Sequence, residues 1–219
     1  MTHRVLPLAA LTAVVAIAGL TGACSSIAVK GTGPIRTETR SATSFTKLES
    51  SFGVVVDLTV GPATSITVEA PEDLLAIVTT EVHGDELQIR GTTDFITVTP
   101  VKVHIATPDL ESIQLFGGSI ATVDGLAVDS LGVEVSGGAQ LTATGTAESV
   151  AIDGSGGGQV WLDQLEARLV TMELSGGAQA RVHASDSVTG DVSGGGHATV
   201  SGPADIRVDT GFSGSVDRG

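Results

Sequence analysis

Ser136-Gly137-Gly138-Ala139, Ser155-Gly156-Gly157-Gly158, Ser175-Gly176-Gly177-Ala178 and Ser193-Gly194-Gly195-Gly196 are four nearly identical stretches in one half of a 219-residue chain. A weaker copy, Phe116-Gly117-Gly118-Ser119, precedes them. Successive copies begin at residues 116, 136, 155, 175 and 193, so one short unit repeats with no linker between copies. Fixed self-similarity of this kind is the mark of a solenoid. A period near 20 residues is too short for a pair of helices and suits coils of short strands laid one upon the next. The spacing predicts an all-β, parallel β-helix-like solenoid with rungs of about 18–20 residues.

Strand parity counted from each turn assigns the side chains to two faces. The residue before each Ser-Gly-Gly should point inward with its neighbours two and four back. The sets are Leu131, Val133 and Val135; Val150, Ile152 and Gly154; Val170, Met172 and Leu174; and Val188, Gly190 and Val192. After the turns the inward pairs are Ala121 and Val123, Leu141 and Ala143, Val160 and Leu162, Ala180 and Val182, and Ala198 and Val200. A narrow core of small and aliphatic side chains is expected, in keeping with an aromatic content of 3%. The glycines permit tight corners at positive φ.

Outward positions should stack into columns. Two residues before the turns come Gln114, Glu134, Asp153, Glu173 and Asp191, which places four carboxylates in one ladder. Adjacent strands lie about 4.8 Å apart, where like charges repel by about 1 kcal/mol even in water. The ladder therefore either splays into solvent, keeping the solenoid soluble, or takes up cations. Calcium is the candidate ion, since it favours hard oxygen ligands. The known calcium-binding Gly-Gly-x-Gly repeat with its Asp is not matched, because Gln159 and Val160 follow Gly156-Gly157-Gly158. Just after the turns a second column reads Ile120, Gln140, Gln159, Gln179 and His197, beside Thr122, Thr142, Trp161, Arg181 and Thr199. Gln140, Gln159, Trp161, Gln179 and Arg181 form a candidate ligand-facing column. An indole face suits sugar rings and amides give directional hydrogen bonds, although Gln and Thr ladders also fill solenoid exteriors without any ligand. Trp161 could equally mark a contact between copies of the chain.

The chain opens with His3 and Arg4, an apolar run from Val5 to Leu20, and Thr21-Gly22-Ala23-Cys24. This is a secretion signal, and its end resembles the lipobox of bacterial lipoproteins. The resemblance implies cleavage after Ala23, diacylglyceryl attachment at Cys24 and a chain held on the extracytoplasmic face of the bacterial cell membrane. Thr21 departs from the aliphatic residue usual in that motif. Cys24 is the one cysteine, so no disulfide forms within the chain. Residues 24–44 read as a flexible Ser/Thr/Gly-rich tether, and residues 45–219 as one domain whose regular repeats span about 113–216. Cleavage removes Arg4 and leaves 10 basic against 25 acidic residues. That balance excludes nucleic acid as a partner and disfavours adsorption on anionic lipid, so membrane attachment is expected through the anchor.

The front of the domain is more irregular. Val54 to Val60, Ser65 to Glu69, Glu86 to Arg90, Ile96 to Val98 and Val101 to Ile105 read as strands, punctuated by Gly61-Pro62, Pro71, Gly84-Asp85 and Pro100. Leu74 to Val82 is open between a strand and an initial helical turn. This order, with Pro108-Asp109-Leu110-Glu111-Ser112-Ile113 running into Ser-Gly-Gly repeats, resembles the head GIN domain of putative auto-transporter adhesins over roughly residues 45 to 215. The resemblance implies a right-handed parallel β-helix-like fold on an exported, often lipid-anchored bacterial protein. It transfers no functional residue.

Enzymatic chemistry finds little support in the pattern. Glycoside hydrolysis needs a carboxyl pair with separated pKa values, and His83, His104, His183 and His197 show no metal-ligand spacing. The reading is a non-enzymatic envelope lipoprotein presenting a solenoid surface for adhesion or ligand binding, with a glycan or cell-surface protein as partner and self-association open. The alternatives are a carbohydrate-active β-helix enzyme of lyase or hydrolase type and a purely structural envelope module.

Overall fold

A computed structural model describes residues 28–219, so the segment read as a secretion signal and Cys24 lie outside the described residues. The strands are Val29–Gly31 (β1), Ile35–Arg40 (β2), Lys47–Ser50 (β3), Val55–Val60 (β4), Ser65–Pro71 (β5), Val78–His83 (β6), Glu86–Gly91 (β7), Phe95–Thr97 (β8) and Lys102–Thr107 (β9). They continue with Ser112–Leu115 (β10), Ile120–Val135 (β11), Gln140–Gly154 (β12), Gln159–Leu174 (β13), Gln179–Val192 (β14), His197–Ser201 (β15), Asp205–Thr210 (β16) and Ser215–Arg218 (β17). Among the described residues no helix is long and apolar enough to cross a membrane.

From β10 onward the chain is the expected parallel solenoid. β11 pairs with β12, β12 with β13 and β13 with β14, all parallel. Each long strand bends partway, and the register slips at the bends, between Val123 and Leu126, Thr142 and Thr144, and Leu162 and Glu166. These bulges absorb the extra or missing residue, which is why the period varies between rungs while the arms stay aligned. The opposite corner is the glycine turn. There the fourth residue's N–H donates to the first residue's carbonyl, as in Ala139 to Ser136 (3.2 Å) and Ala178 to Ser175 (3.0 Å). The central pair is at positive φ, for instance 64° at Gly137 and 81° at Gly138, the φ signs of a type I′ turn.

The inward sets are found as parity predicts. Leu131, Val135, Leu141, Ile152, Val160, Leu162, Val170, Met172, Leu174, Val182 and Val200 are all buried in one continuous core. Each buried aliphatic side chain contributes about 1.5–3 kcal/mol, so stacking supplies the stability that a disulfide-free rung cannot. One member differs: Gly190 is only half-buried, and a Cβ there would lie 1.9 Å from the Met172 carbonyl oxygen. Its place in the rung is set by backbone approach and not by core packing.

The irregular front half is spliced into the same stack. β3 pairs in parallel with β10, and β4 with the first half of β11. Between them runs Ser51-Phe52-Gly53-Val54, whose Phe52 and Gly53 have φ of 67° and 68°. This is a copy of the glycine corner without its signature. After β4 the chain leaves the rung and lays β7 beside β3 and β9 beside β4, both parallel, then re-enters at β10. Antiparallel strands close this end, β6 on β7, β5 on β9 and β2 on β5. At the far end Gly211-Phe212-Ser213-Gly214 forms another disguised corner, with Gly214 N–H donating to Gly211 O (3.0 Å).

One open reading of the sequence is resolved and one is corrected. Residues 72–77 form successive turns, with Leu74 N–H bonded to Pro71 O at 2.8 Å, and the strand starts at Val78. The stretch read as a flexible tether holds β1 and β2: the alternation Ile35-Arg36-Thr37-Glu38-Thr39-Arg40 pairs along β5, and Val29–Gly31 pairs with β8. Asp73 holds the link between them, accepting hydrogen bonds from the N–H groups of Thr32 (3.0 Å) and Gly33 (3.3 Å).

Candidate functional site

Each glycine corner separates two outward faces, and parallel register aligns both. On the face after the corner, Gln140 pairs with Gln159, Gln159 with Gln179 and Gln179 with His197. Beside them Thr142 pairs with Trp161, Trp161 with Arg181 and Arg181 with Thr199. All five residues of the candidate ligand-facing column are thus brought onto one face. The Arg181 guanidinium carbon sits 4.7 Å from the Trp161 ring centroid, a cation–π contact worth about 0.5–1 kcal/mol at an exposed site. It places the guanidinium over one face of the indole. Trp161, Gln140 and Gln159 are half-buried, whereas Gln179 and Arg181 are exposed.

On the face before the corner the acids align as counted. Gln114 pairs with Glu134, Glu134 with Asp153, Asp153 with Glu173 and Glu173 with Asp191. The column is longer than the glycine repeats indicate, since Gln114 also pairs with Glu49 and Asp191 with Asp209. Both added acids stand two residues before the disguised corners, and the same parity count would have found them had Ser51-Phe52-Gly53 and Gly211-Phe212-Ser213 been read as turns. Glu49 is neutralised by Arg90, which donates two hydrogen bonds to it at 3.0 and 2.9 Å. The neighbouring column is built of small side chains, Ser112, Gly132, Ala151 and Thr171. The step down from acids to these residues makes a shallow groove of about 320 Å³. Its carboxylates enter one per rung, and among the described residues no three His, Cys, Asp or Glu side chains converge as a metal site.

Around the bend a separate ion network ties three rungs. Arg168 donates to Glu148 at 2.5 Å and to Asp186, and these bonds, that to Glu148 foremost, raise the guanidinium above its usual range. At the last rung His197 stands between Ser215 (Nδ1 to Oγ, 2.9 Å) and Asp217 (Nε2 to Oδ2, 3.8 Å). These are the residue types of a nucleophilic triad. The carboxylate distance exceeds a hydrogen bond, and the Asp217 side chain is 72% exposed, so the carboxylate neither orients the imidazole nor is shielded from water as such a triad needs.

The sequence matches the family model described as "Putative auto-transporter adhesin, head GIN domain" over residues 44–204. No curated protein matches it. Among solved structures, a putative adhesin from Bacteroides fragilis is similar over 87% of this chain and 99% of its own length, with a TM-score of 0.72 at 18% identity. A putative adhesin from Parabacteroides merdae covers 87% of this chain and 98% of its own at TM-score 0.53 and 17% identity. A protein from Parabacteroides distasonis described as a putative lipid binding protein covers 88% and 99% at TM-score 0.56 and 14% identity. At these identities the likeness is one of fold.

Proposed function

The chain belongs to the family of the "Putative auto-transporter adhesin, head GIN domain", and from that premise we propose that it is a non-enzymatic, lipid-anchored envelope protein that binds a surface glycan along its Gln–Trp–Arg face. The observation that carries this reading is the alignment of Gln140, Gln159 and Gln179 beside Trp161, whose ring is faced by the Arg181 guanidinium at 4.7 Å. A flat row of amides at strand spacing next to an indole matches the repeating hydroxyls and apolar ring faces of a linear polysaccharide. The adhesin-like family supports a place at the cell surface or envelope.

A glycan array probed with residues 25–219 tests the ligand. Signal on polysaccharides that disappears in Trp161→Ala supports the reading, and silence on every glycan overturns it. The anchor is tested by metabolic labelling with a palmitate analogue, where label retained by Cys24→Ser would refute acylation at that residue.

A further inference from the structure

We propose that the outer face of the β1–β8 sheet seats in the headgroup boundary of the lipid bilayer, so that the solenoid stands on its N-terminal end. The proposal rests on acylation of Cys24. β1 and β8 form a two-stranded sheet separate from the main one. Val29 and Phe95 pack inward against the core, and Gly31 lies so close to Leu74 that a Cβ would meet its Cδ1 at 2.5 Å. Alternation then turns Lys30, Ile96 and Val98 outward. Ile96 is 63% exposed and Val98 98%. They line a small cleft of about 180 Å³ with Lys30 and Thr32. The outward columns of the solenoid body carry Gln, Thr, Glu and Asp at most rungs, so two bare aliphatic side chains on neighbouring outward positions are out of keeping with a face made for water.

Chain length argues for the bilayer as the occupant. Four residues separate Cys24 from Val29, so the five Cα steps between them span at most about 17 Å when fully extended. Val29 is registered against Phe95, which fixes where the chain enters β1, and the Asp73 bonds to Thr32 and Gly33 pin the other end of that strand. A diacylglyceryl group on Cys24 would therefore hold Ile96 and Val98 within reach of the headgroups, where apolar side chains are buried and the Lys30 stem can lie along the boundary with its ammonium in water. Lys30 and Asp94, the latter exposed just before β8, give this face one charge of each sign. The contact is then apolar in character, and it orients a chain that the acyl groups already retain.

The experiment uses the full acylated chain in vesicles of phosphatidylcholine and phosphatidylglycerol. Acylation consumes the one native thiol, so Val98→Cys carries a single environment-sensitive fluorophore, and Phe212→Cys, at a side chain 91% exposed on the far end, carries the control. Mass spectrometry of the same sample reads the acyl groups on Cys24. Acylated protein whose label at 98 shifts to the blue and is protected from iodide, while the label at 212 stays quenchable, is the expected result. Adding Ile96→Asp to the Val98→Cys protein should reverse part of the shift. Acylated protein with the two labels equally quenchable overturns the seating and leaves the anchor intact. A chain without acyl groups at Cys24 overturns both.

Discussion

Phe52 occupies the corner position that Gly117 holds one rung along, and both have positive φ, 67° and 59°. A phenylalanine is tolerated there at the cost of left-handed backbone, about 1–2 kcal/mol for a residue with a Cβ. The stack explains why. A Cβ on Gly117 would meet the nearest backbone atom, Phe52 N, at 3.5 Å, an ordinary contact, whereas on Gly176 it would meet Gly156 N at 3.0 Å. Gly117 therefore has room for a Cβ that Gly176 and Gly194, each with a backbone atom at 3.0 Å, lack.

Gly117→Ala should therefore lower stability by about 1–2 kcal/mol, the conformational cost alone. Gly176→Ala should cost more, because the backbone of the adjoining rung must also shift. Urea melts of the two variants decide it; an equal loss, or a larger one at Gly117, would contradict this difference in room.

Gly190 is the sharper case. With φ of 132° and the Met172 oxygen 1.9 Å from where a Cβ would sit, Gly190→Ala should cost over about 3 kcal/mol or prevent folding. Gly138→Ala, with nothing within 4 Å of its Cβ, serves as the control and should fold. Comparable melting points for the two would remove the close-approach argument.

How far the fold could be read from the residues follows from where glycine was kept. Five corners announce themselves, and parity counted from them places the core, Gly190 apart, and aligns both outward columns. Two corners did not, because Phe52 and Phe212 replace the first glycine, and with them Glu49 and Asp209 at the column ends went unseen. The front half was legible as strands and not as topology. Nothing local to residues 61–111 tells that β7 and β9 run beneath β3 and β4, since that choice depends on pairings between strands far apart in the chain. β1 and β2 were read as tether because β2 is an edge strand with exposed side chains, so composition carried no burial signal. The roles of Asp73 and Arg168 are equally contact-dependent.

Asp73 predicts a pH dependence. The Thr32 N–H foremost, with Gly33, holds the carboxyl below the usual aspartate range. A depressed folded pKa stabilises above the unfolded value and loses that contribution as pH falls through the folded one. Attachment of β1 should thus persist at neutral pH and loosen only in acid below the ordinary aspartate pKa. NMR titration of the Asp73 carboxyl with the Thr32 amide as reporter measures it, and a midpoint at or above the free-aspartate value would be the contrary result. Asp73→Ala, which removes the acceptor altogether, should mobilise Thr32 at all pH values, whereas Asp73→Asn keeps a carbonyl acceptor and should remove the pH dependence.

The acid column predicts a salt effect. Asp153 has Glu134 on one side and Glu173 on the other, each about one strand spacing away. Asp153→Asn should raise stability by up to about 1 kcal/mol at low ionic strength, and the gain should shrink as salt screens the remaining charges. Melts in low and high sodium chloride test this. If calcium bridges the column instead, micromolar calcium would stabilise the parent chain and not Asp153→Asn, and the parent's stability would follow calcium in place of ionic strength.

Trp161 and Arg181 give the last test, because their contact bears on both stability and recognition. The guanidinium covers one side of the indole, so a sugar ring stacking on Trp161 must take the other side or displace the arginine. A double-mutant cycle on Trp161→Ala and Arg181→Ala should return a coupling of about 0.5–1 kcal/mol. Arg181→Ala alone should leave the fold intact and expose the ring, so acrylamide should quench Trp161 more strongly than in the parent. A glycan that uses the open side should protect Trp161 from quenching equally in both proteins, whereas one that displaces Arg181 should bind Arg181→Ala more tightly. Zero coupling with unchanged quenching would mean that the arginine does not orient the indole, and the face would lose the feature that distinguishes it from an ordinary Gln and Thr exterior.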